Sequence, residues 1–312
     1  MIVASQTNLK NVAIYYAFLS SLNSAANGFD STNVINDLNQ YDIVVAGAGI
    51  EDPGHGDYAN STVIIPGLAN SVELFGYVTI GDNGGAPETL AAIQGRIDNW
   101  QTLGAEGIFL DEAGFDFWPS GTDAAMRVRQ NTIIDYAHGK SMKVFVNAWD
   151  PDDVFIKEAT NPITVTSNDY YLLESYIFKD GSANDQLTTM SFANHEIKLA
   201  KVQAAQSSHG IKAIGVSTTG LDSGAYNQVD FDFLAVAAQL DGLDGIGWGT
   251  KNFSATGVDV AVMPYRPIQD QYNGLELEGS LLVDNPSESK SRLVLNIGTL
   301  NADYGNQIFT GI

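Results

Sequence analysis

Short apolar runs alternate with longer amphipathic segments over the first 250 residues of the chain. The runs are rich in β-branched and aromatic residues and predict eight strands, at residues 12–18, 42–46, 74–80, 107–110, 143–147, 170–174, 211–216 and 245–248. Apolar residues at helical spacing predict helices between them, at residues 31–38, 87–103, 122–138, 188–208 and 231–240. Ser31-Thr32 is the expected cap of the first helix. Strands that alternate with helices indicate an α/β protein with a parallel sheet. Eight such units in about 240 residues indicate a closed (β/α)8 TIM barrel.

Two parts of this pattern are weaker. The segment at residues 64–69, between the second and third strands, predicts only a short helix or a loop. Beyond Pro267 the helical spacing stops, and alternating residues at 275–278, 280–283 and 292–297 predict antiparallel strands. We therefore divide the chain into a barrel at residues 10–265 and a small C-terminal β-rich extension at residues 266–312.

The composition of the chain limits the kinds of partner that it can bind. The chain has 312 residues, a net charge of −22 and no cysteine. The negative charge disfavours nucleic acid and anionic membrane surfaces as partners, and it fits either simple solubility or a cationic substrate. Without cysteine there is no disulfide, thiolate nucleophile or cysteine–zinc site. No apolar run is long enough to span a membrane and no secretory signal is apparent, so the localisation stays open, with extracellular or virion-associated action as candidates.

Cofactor motifs are incomplete. Gly47-Ala48-Gly49 follows a strand, but Asp52 stands where a dinucleotide site needs its third glycine. The four histidines are scattered. The acidic turn at residues 150–153 could hold a hard cation, although a solvated turn is the more common use of such a sequence. We expect no cofactor and no metal.

Candidate chemistry lies at the C-terminal ends of the predicted strands, where barrel enzymes place their active sites. The acids there are Asp111, Glu112 and Glu174, and they are accompanied by one amide and five aromatic residues: Asn147, Tyr16, Tyr77, Trp149, Tyr176 and Trp248. Paired carboxylates perform glycosidic cleavage, and flat aromatic rings stack on sugars. Neighbouring strand residues face opposite ways, so we expect only one of Asp111 and Glu112 to face the barrel mouth and to work with Glu174. The alternative is that these acids cap helices or form salt bridges.

Several of these residues also resemble a known group. Gly76-Tyr77-Val78, Trp100, the block at residues 107–112, Val146-Asn147 and Glu174 resemble the spherulin-4-like and endo-α-1,4-polygalactosaminidase glycoside hydrolases. The resemblance implies a (β/α)8 enzyme that cleaves α-1,4-linked amino-sugar polymers. It places the family's acids on Asp111, Glu112 and Glu174, its amide on Asn147, and its sugar-lining aromatics on Tyr16 and Tyr77. The sequence departs from the family at residues 248–252, which lack an acid, at Ala148-Trp149, where the family tends to have Pro-Gly, and in the C-terminal strands.

The sequence therefore predicts a glycoside hydrolase that cleaves an extracellular or capsular polysaccharide, one rich in amino sugars, with two carboxylates. The alternative is a non-catalytic carbohydrate-binding or receptor-binding protein, such as a virion tail component or a surface adhesin. The absent signal peptide, the absent cysteines and the β-rich tail favour this alternative, whereas acids on two strands disfavour it. In either case the C-terminal strands could join copies into a homo-oligomer.

Overall fold

Eight parallel strands close into a barrel in the computed structural model of the chain. The structure describes residues 9–22, 28–47, 49–68, 71–82, 85–176, 178–179, 188–189, 192–218, 231, 234–235, 237–239 and 241–249, together with three short strands beyond residue 280. The barrel strands are β1 (Lys10–Tyr15), β2 (Ile43–Ala46), β3 (Glu73–Thr79), β4 (Gly107–Asp111), β5 (Lys143–Asn147), β6 (Tyr170–Leu173), β9 (Lys212–Thr218) and β10 (Gly245–Gly249). Their order around the barrel is β1-β10-β9-β6-β5-β4-β3-β2, which confirms the predicted (β/α)8 fold.

Helices lie between the strands in the sequence, as the apolar spacing predicted. They are α1 (Ser31–Leu38), α2 (Tyr58–Leu68), α3 (Leu90–Leu103), α4 (Asp123–Gly139), the short α5 (Asp152–Phe155) and α6 (Phe192–His209), with 3-10 turns at Leu19–Ser21 and Phe115–Phe117. Residues 231, 234–235 and 237–239 are also helical. None of the helices in the described part of the chain is long and apolar enough to cross a membrane.

Four details of the prediction are wrong. The connection between β2 and β3 contains the eleven-residue helix α2, with Pro66 inside it, which is longer than the short helix or loop that the sequence predicted. Asp30 rather than Ser31 caps α1, because its side chain accepts a hydrogen bond from the Thr32 amide. The next helix begins at Leu90, after its cap Thr89, and not at Pro87.

The fourth error concerns the predicted helix at residues 188–208. Its first two residues are instead strand β8 (Thr188–Thr189), which pairs antiparallel with β7 (Phe178–Lys179). The helix itself, α6, begins only at Phe192.

Successive side chains along each strand point to opposite faces of the sheet, and this creates two separate apolar cores. One core fills the barrel interior and includes four interlocked rings: Phe75, Phe109, Phe145 and Tyr170. Neighbouring rings of this set lie with their centroids 5.2–5.5 Å apart, the spacing that aromatic pairs prefer. The other core joins the outer faces of the strands to the helices. There, the indole of Trp100 lies against Gly76, where an added Cβ would come within 2.1 Å of the ring.

A polar layer closes the N-terminal end of the barrel. Glu73 on β3 accepts hydrogen bonds from Lys10 at 2.6 Å, from Lys143 at 2.7 Å and from the Tyr170 hydroxyl at 2.8 Å. Lys212 contacts the same hydroxyl at 3.4 Å. These ion pairs lie at the end of the barrel opposite the predicted active site, where side chains serve stability.

Three short strands follow the barrel in the sequence. β11 (Leu281–Val283), β12 (Arg292–Leu295) and β13 (Ile308–Thr310) form an antiparallel sheet. The sequence predicted antiparallel strands here, although the segment at residues 275–278 lies outside the described residues. The division of the chain at residue 265 stays a prediction.

Candidate active site

A cleft of about 550 Å³ opens at the C-terminal ends of the barrel strands. Its lining combines four acids with one amide and with apolar and aromatic residues: Ile14, Tyr16, Asp111, Glu112, Asp116, Phe117, Asn147, Ala148, Trp149, Leu172 and Glu174. No lysine, arginine or histidine belongs to this set of lining residues. The cleft therefore concentrates negative charge at the position where (β/α)8 enzymes bind their substrates.

Asn147 connects the two main carboxylates. It ends β5, and its amide nitrogen lies 2.8 Å from Asp111 Oδ1 and 3.2 Å from Glu174 Oε2. Because one nitrogen contacts both oxygens, these two oxygens cannot be more than about 6 Å apart. The strand ends of β4, β5 and β6 thus bring Asp111 and Glu174 together, as the sequence predicted.

Asp111 accepts hydrogen bonds from three sides. Besides Asn147, the Tyr77 hydroxyl donates to Oδ2 at 2.6 Å and the Glu112 backbone amide donates to Oδ1 at 2.8 Å. Burial and the charge of Asp111 raise the pKa of Tyr77, so its phenol keeps its proton and stays a donor. Three donors stabilise the negative charge of the Asp111 carboxylate.

Glu174 has a different environment. Burial raises the pKa of its carboxyl, and the negative charge of Asp111 raises it further. The hydrogen bond from Asn147 and the nearby ammonium group of Lys198 act in the opposite direction but do not cancel the increase. A buried carboxyl group beside a carboxylate that accepts three hydrogen bonds is an arrangement suited to a general acid and a nucleophile.

Glu112 lies in the same cleft as Asp111, which corrects the expectation that only one of them faces it. The reason is the backbone conformation of Glu112, whose φ of 55° lies in the left-handed region. Side chains therefore alternate between the two faces of the strand only as far as Asp111. Its carboxylate accepts a hydrogen bond from Thr79 Oγ1 at 2.8 Å. Burial raises the pKa of Glu112, while this hydrogen bond lowers it. Ser175, directly after Glu174, has φ 54°, so both acid-bearing strand ends finish in the same unusual conformation.

Trp149 forms one wall of the site, and the buried Lys198 packs against it. The Trp149 ring lines the cleft and is 50% exposed. The Lys198 ammonium lies 3.9 Å from the centre of this ring and 3.3 Å from the backbone oxygen of Glu174. Lys198 is buried on α6, and this burial lowers its pKa to about 8. No sequence pattern singled out this lysine, because it lies on a helix and not at a strand end.

The remaining predicted aromatics divide between the cleft and the core. Tyr16 lines the cleft and packs edge-on against Tyr77, with ring centroids 4.9 Å apart. An added Cβ on Gly47 would come within 2.3 Å of the Tyr16 backbone oxygen, so the glycine that resembled a nucleotide motif instead admits the end of β1. Tyr176 is fully buried and its hydroxyl bonds to Asp241, so it contributes to packing and offers no surface to a substrate.

Trp248 also lies outside the residues that line the cleft, and only 8% of it is exposed. Its place in the apolar core between the strands and the helices accounts for this burial. The cleft instead uses Asp116 and Phe117, which sequence reasoning missed as site residues. They follow β4 in the 3-10 turn Phe115–Phe117, and only their position just after the Asp111-Glu112 pair could have indicated them.

No group of three or more histidine, aspartate or glutamate side chains suited to a metal occurs in the described ranges. The acidic turn at residues 150–153 is instead paired with lysines. Lys157 contacts Asp150 at 2.9 Å and also bonds to Asp153, and Lys201 contacts Asp150 at 2.8 Å and Asp152 at 2.7 Å. These ion pairs and the Asp152 amide lower the pKa of Asp150 to about 2, despite the opposing effect of burial. The turn is an ion-paired cluster.

No protein-family model matches the sequence, and no curated protein matches it. Solved structures do share the barrel. Ega3 from Aspergillus fumigatus, solved with galactosamine, is 11% identical, with 81% of this chain and 94% of that chain covered and a TM-score of 0.44. An endo-β-1,4-mannanase from Cellulomonas fimi is 14% identical, with coverage of 79% and 66% and a TM-score of 0.49. A D-allulose 3-epimerase from Methylomonas sp. is 15% identical, with coverage of 82% and 88% and a TM-score of 0.43. At these identities the likeness concerns the fold alone, and it assigns no reaction.

Proposed function

We propose that this protein is a glycoside hydrolase whose catalytic carboxylates are Asp111 and Glu174. The observation that carries the proposal is the Asn147 amide nitrogen, which holds one oxygen of each carboxylate within hydrogen-bond distance. Hydrolysis of a glycosidic bond needs two carboxyl groups at a fixed separation across an open cleft. Glu112 supports the pair from the adjacent position, since its backbone amide donates to Asp111.

The separation of the two carboxylates favours retention of configuration. Retaining enzymes hold their carboxyl groups about 5–5.5 Å apart, and inverting enzymes hold them about 6.5–9.5 Å apart to admit a water molecule. The two oxygens that contact Asn147 lie at most about 6 Å apart, as the close carboxyl pair of a retaining enzyme requires. We therefore assign a double displacement.

The environments of the two acids assign their roles. Asp111, which accepts hydrogen bonds from three donors, is the nucleophile. Glu174, whose pKa is raised by burial, is the general acid. Asp111 attacks the anomeric carbon while Glu174 gives its proton to the leaving glycosidic oxygen, which forms a glycosyl ester on Asp111. Glu174 then takes a proton from water, the water oxygen attacks the anomeric carbon, and the Asp111 carboxylate leaves.

Charge favours a cationic substrate. Four carboxylates and no basic side chain line the cleft, and the whole chain carries a net charge of −22. A polymer of amino sugars with free amines is a polycation, so the cleft attracts it and the protein's field speeds its capture. The expected substrate is an α-1,4-linked amino-sugar polysaccharide, as the family resemblance of the sequence implies.

The proposal is tested by incubating the protein with a panel of amino-sugar polysaccharides and determining the masses and the anomeric configuration of the products. We expect shortened oligosaccharides whose newly formed ends have the configuration of the substrate. Glu174→Gln should lower turnover at least about a thousandfold. Glu106→Gln, which changes a largely exposed glutamate near the opposite end of the barrel, is the matched control. Unchanged turnover in Glu174→Gln, or no cleavage of any polymer, contradicts the proposal.

Ionic strength tests the role of charge. If the field of the protein captures a polycation, kcat/KM should fall as salt is raised from about 10 mM to about 150 mM, because screening shortens the range of the attraction. An N-acetylated polymer without free amines is the control and should show little dependence on salt. If the two polymers respond equally, the charge of the protein serves solubility alone.

A further inference from the structure

The rim of the barrel carries a second exposed aromatic residue, Phe18, opposite Trp149. Phe18 is 45% exposed and follows β1, two residues after Tyr16. Trp149 follows β5, which is four strands away from β1 in the order of the closed barrel. Eight strands spaced about 4.8 Å apart enclose a barrel roughly 15 Å across, so Phe18 and Trp149 follow strands that end on opposite sides of the mouth.

His55 lies beside Phe18. The two ring centroids are 4.7 Å apart and the planes meet at 79°, so the edge of one ring meets the face of the other. The Asp57 backbone amide donates to His55 Nδ1 at 3.1 Å. A nitrogen that accepts a hydrogen bond carries no proton, so the proton of the neutral imidazole is on Nε2, as a donor. No described residue accepts a hydrogen bond from Nε2, and the side chain is partly exposed.

The backbone around this pair is firmly held. The buried carboxylate of Asp57 accepts a hydrogen bond from the Ser20 amide at 3.1 Å and one from Asn60 at 2.7 Å. The Tyr15 hydroxyl donates to the backbone oxygen of Phe18 at 3.2 Å. The segment after β1 and the loop after β2 are therefore tied together beneath Phe18 and His55. An exposed apolar ring held in this way loses little conformational entropy when it binds a ligand.

We propose that Phe18 and His55 form a distal sugar-binding subsite for the same polysaccharide that the cleft cleaves. The inference rests on the proposed function. A flat apolar face beside a single hydrogen-bond donor suits a pyranose ring, because the ring stacks on Phe18 while a hydroxyl oxygen accepts from His55 Nε2. Asp111 and Glu174 end or follow the strands on either side of β5, and they line the cleft together with Trp149. A chain that runs from Trp149 across the mouth to Phe18 therefore passes the proposed catalytic carboxylates. The subsite thus predicts endo-action on chains of several residues.

The subsite is tested by measuring affinity against chain length. Glu174→Gln protein is titrated with amino-sugar oligosaccharides of about two to eight residues, with free and with N-acetylated amines, and then compared with the same protein carrying Phe18→Ala or His55→Ala. We expect the affinity of the parent protein, Glu174→Gln, to increase with chain length. Adding Phe18→Ala should lower the affinity for the longest chains about tenfold. Phe18→Tyr keeps the stacking face and should retain the gain.

A matched control removes a different exposed apolar side chain. Val128 on the outer helix α4 is 50% exposed, and Val128→Ala should leave affinity at every length as in the parent. The inference is overturned if Phe18→Ala binds every oligosaccharide as the parent does, or if the parent shows no gain of affinity with length on any of them. Cleavage by the unaltered protein is scored separately. If the protein cleaves the polymer and cleavage does not depend on Phe18, the subsite proposal is wrong and the hydrolase proposal stands. If binding depends on chain length but no polymer is cleaved, the hydrolase proposal is wrong and the binding subsite stands.

Discussion

The ammonium group of Lys198 lies 3.9 Å above the ring of Trp149. The same ammonium contacts the backbone oxygen of Glu174 at 3.3 Å, and the side chain is only 8% exposed. A desolvated cation over an indole contributes about 2 kcal/mol, enough to hold the ring in one orientation. One buried lysine therefore positions the aromatic wall of the cleft and places positive charge beside the proposed general acid.

Lys198→Met should shift the pH dependence of catalysis. The methionine keeps the apolar stem but removes the charge that lowers the pKa of Glu174. The pKa of Glu174 should then rise further, and a general acid remains protonated up to its pKa. We expect the alkaline limb of the kcat/KM profile to move to higher pH in Lys198→Met and to stay in place in Lys198→Arg. An alkaline limb at the same pH in all three proteins would falsify this role.

The same variant should be more stable. Burial lowers the pKa of Lys198 from 10.5 to about 8, so near pH 7 the folded protein holds a costly buried charge. Between these two pKa values the folded state has released a proton that the unfolded state still binds, so stability rises with pH in this window. Lys198→Met should gain only about 1 kcal/mol at pH 7, because loss of the contact with Trp149 offsets about 2 of the roughly 3 kcal/mol that burial of the charge costs. The variant should also lack the rise of stability with pH. Urea unfolding at pH 7 and at about pH 10 measures both effects.

Asn147→Ala should impair catalysis more than folding. The change removes the donor that contacts both Asp111 and Glu174. Loss of one such preorganised donor lowers kcat by about 100-fold to 1,000-fold. Because the bond from Asn147 also lowers the pKa of Glu174, the alkaline limb should move to higher pH. Asn131→Ala is the control, since Asn131 donates only to a loop carbonyl, Pro162 O, at the outer surface. Equal kcat in the two variants contradicts the bridging role.

The strands were the most predictable part of the fold. β5 was predicted with both of its observed ends, because a strand buried on both faces is a continuous apolar run with polar borders. The full length of helix α2 could not be predicted, since Pro66 and Gly67 both disfavour helices. Its stability comes from tertiary packing. Ile64 and Ile65 are fully buried, and a Cβ on Gly67 would lie 2.5 Å from the Ile35 side chain on α1.

In the site, the sequence predicted which acids meet but not how they are held. Asp111, Asn147 and Glu174 follow from the rule that strand ends converge at one face of a barrel. The orientation of Glu112 depends on its left-handed φ of 55°, which glutamate rarely adopts and which no local pattern indicates. Lys198 reaches the site from α6, and only the packing of that helix against the barrel places it there.

The backbone of Glu112 leads to a prediction about strain. A non-glycine residue in the left-handed region costs about 1 kcal/mol or more, and glycine removes that cost. The free energy of unfolding of Glu112→Gly should therefore lie within about 1 kcal/mol of the wild-type value, although the variant loses the hydrogen bond from Thr79. Glu112→Val, with a branched side chain in the same conformation, should lose at least about 2 kcal/mol. Urea unfolding compares the two, and equal losses would show that the conformation carries no strain.

His138 should make stability depend on pH. Its hydrogen bond to the buried carboxylate of Asp169, at 3.0 Å, raises the pKa of the imidazole, although burial acts against it. A raised folded-state pKa contributes stability that is fully present below the ordinary value of about 6.5 and is lost as the pH rises through the folded value. Between about pH 6 and about pH 8 the wild type should therefore lose more stability than His138→Gln. Parallel unfolding curves for the two proteins across this range would contradict the prediction.

Glu73 should stabilise the barrel without taking part in catalysis. Burial alone would raise the pKa of this carboxyl, but hydrogen bonds from Lys10, Lys143 and Tyr170 outweigh burial and lower it. A lowered pKa contributes stability that is present above the ordinary value of about 4.5 and is lost as the pH falls through the folded value. Acid unfolding of the wild type should therefore depend in part on Glu73.

Glu73→Gln leaves Lys10 and Lys143 without their carboxylate partner, but their side chains are 36% and 35% exposed, so solvent screens part of the cost. We expect a loss of about 1–2 kcal/mol at neutral pH. Glu106→Gln is the matched control. Its carboxylate lies 3.7 Å from Lys143 and is 45% exposed, and such a surface pair contributes less than about 1 kcal/mol. Both variants should keep the wild-type kcat/KM at temperatures where they are folded, because Glu73 and Glu106 lie at the end of the barrel opposite the cleft. Equal stability of the two variants, or a specific loss of kcat/KM in folded Glu73→Gln, would show that the polar layer has a different role.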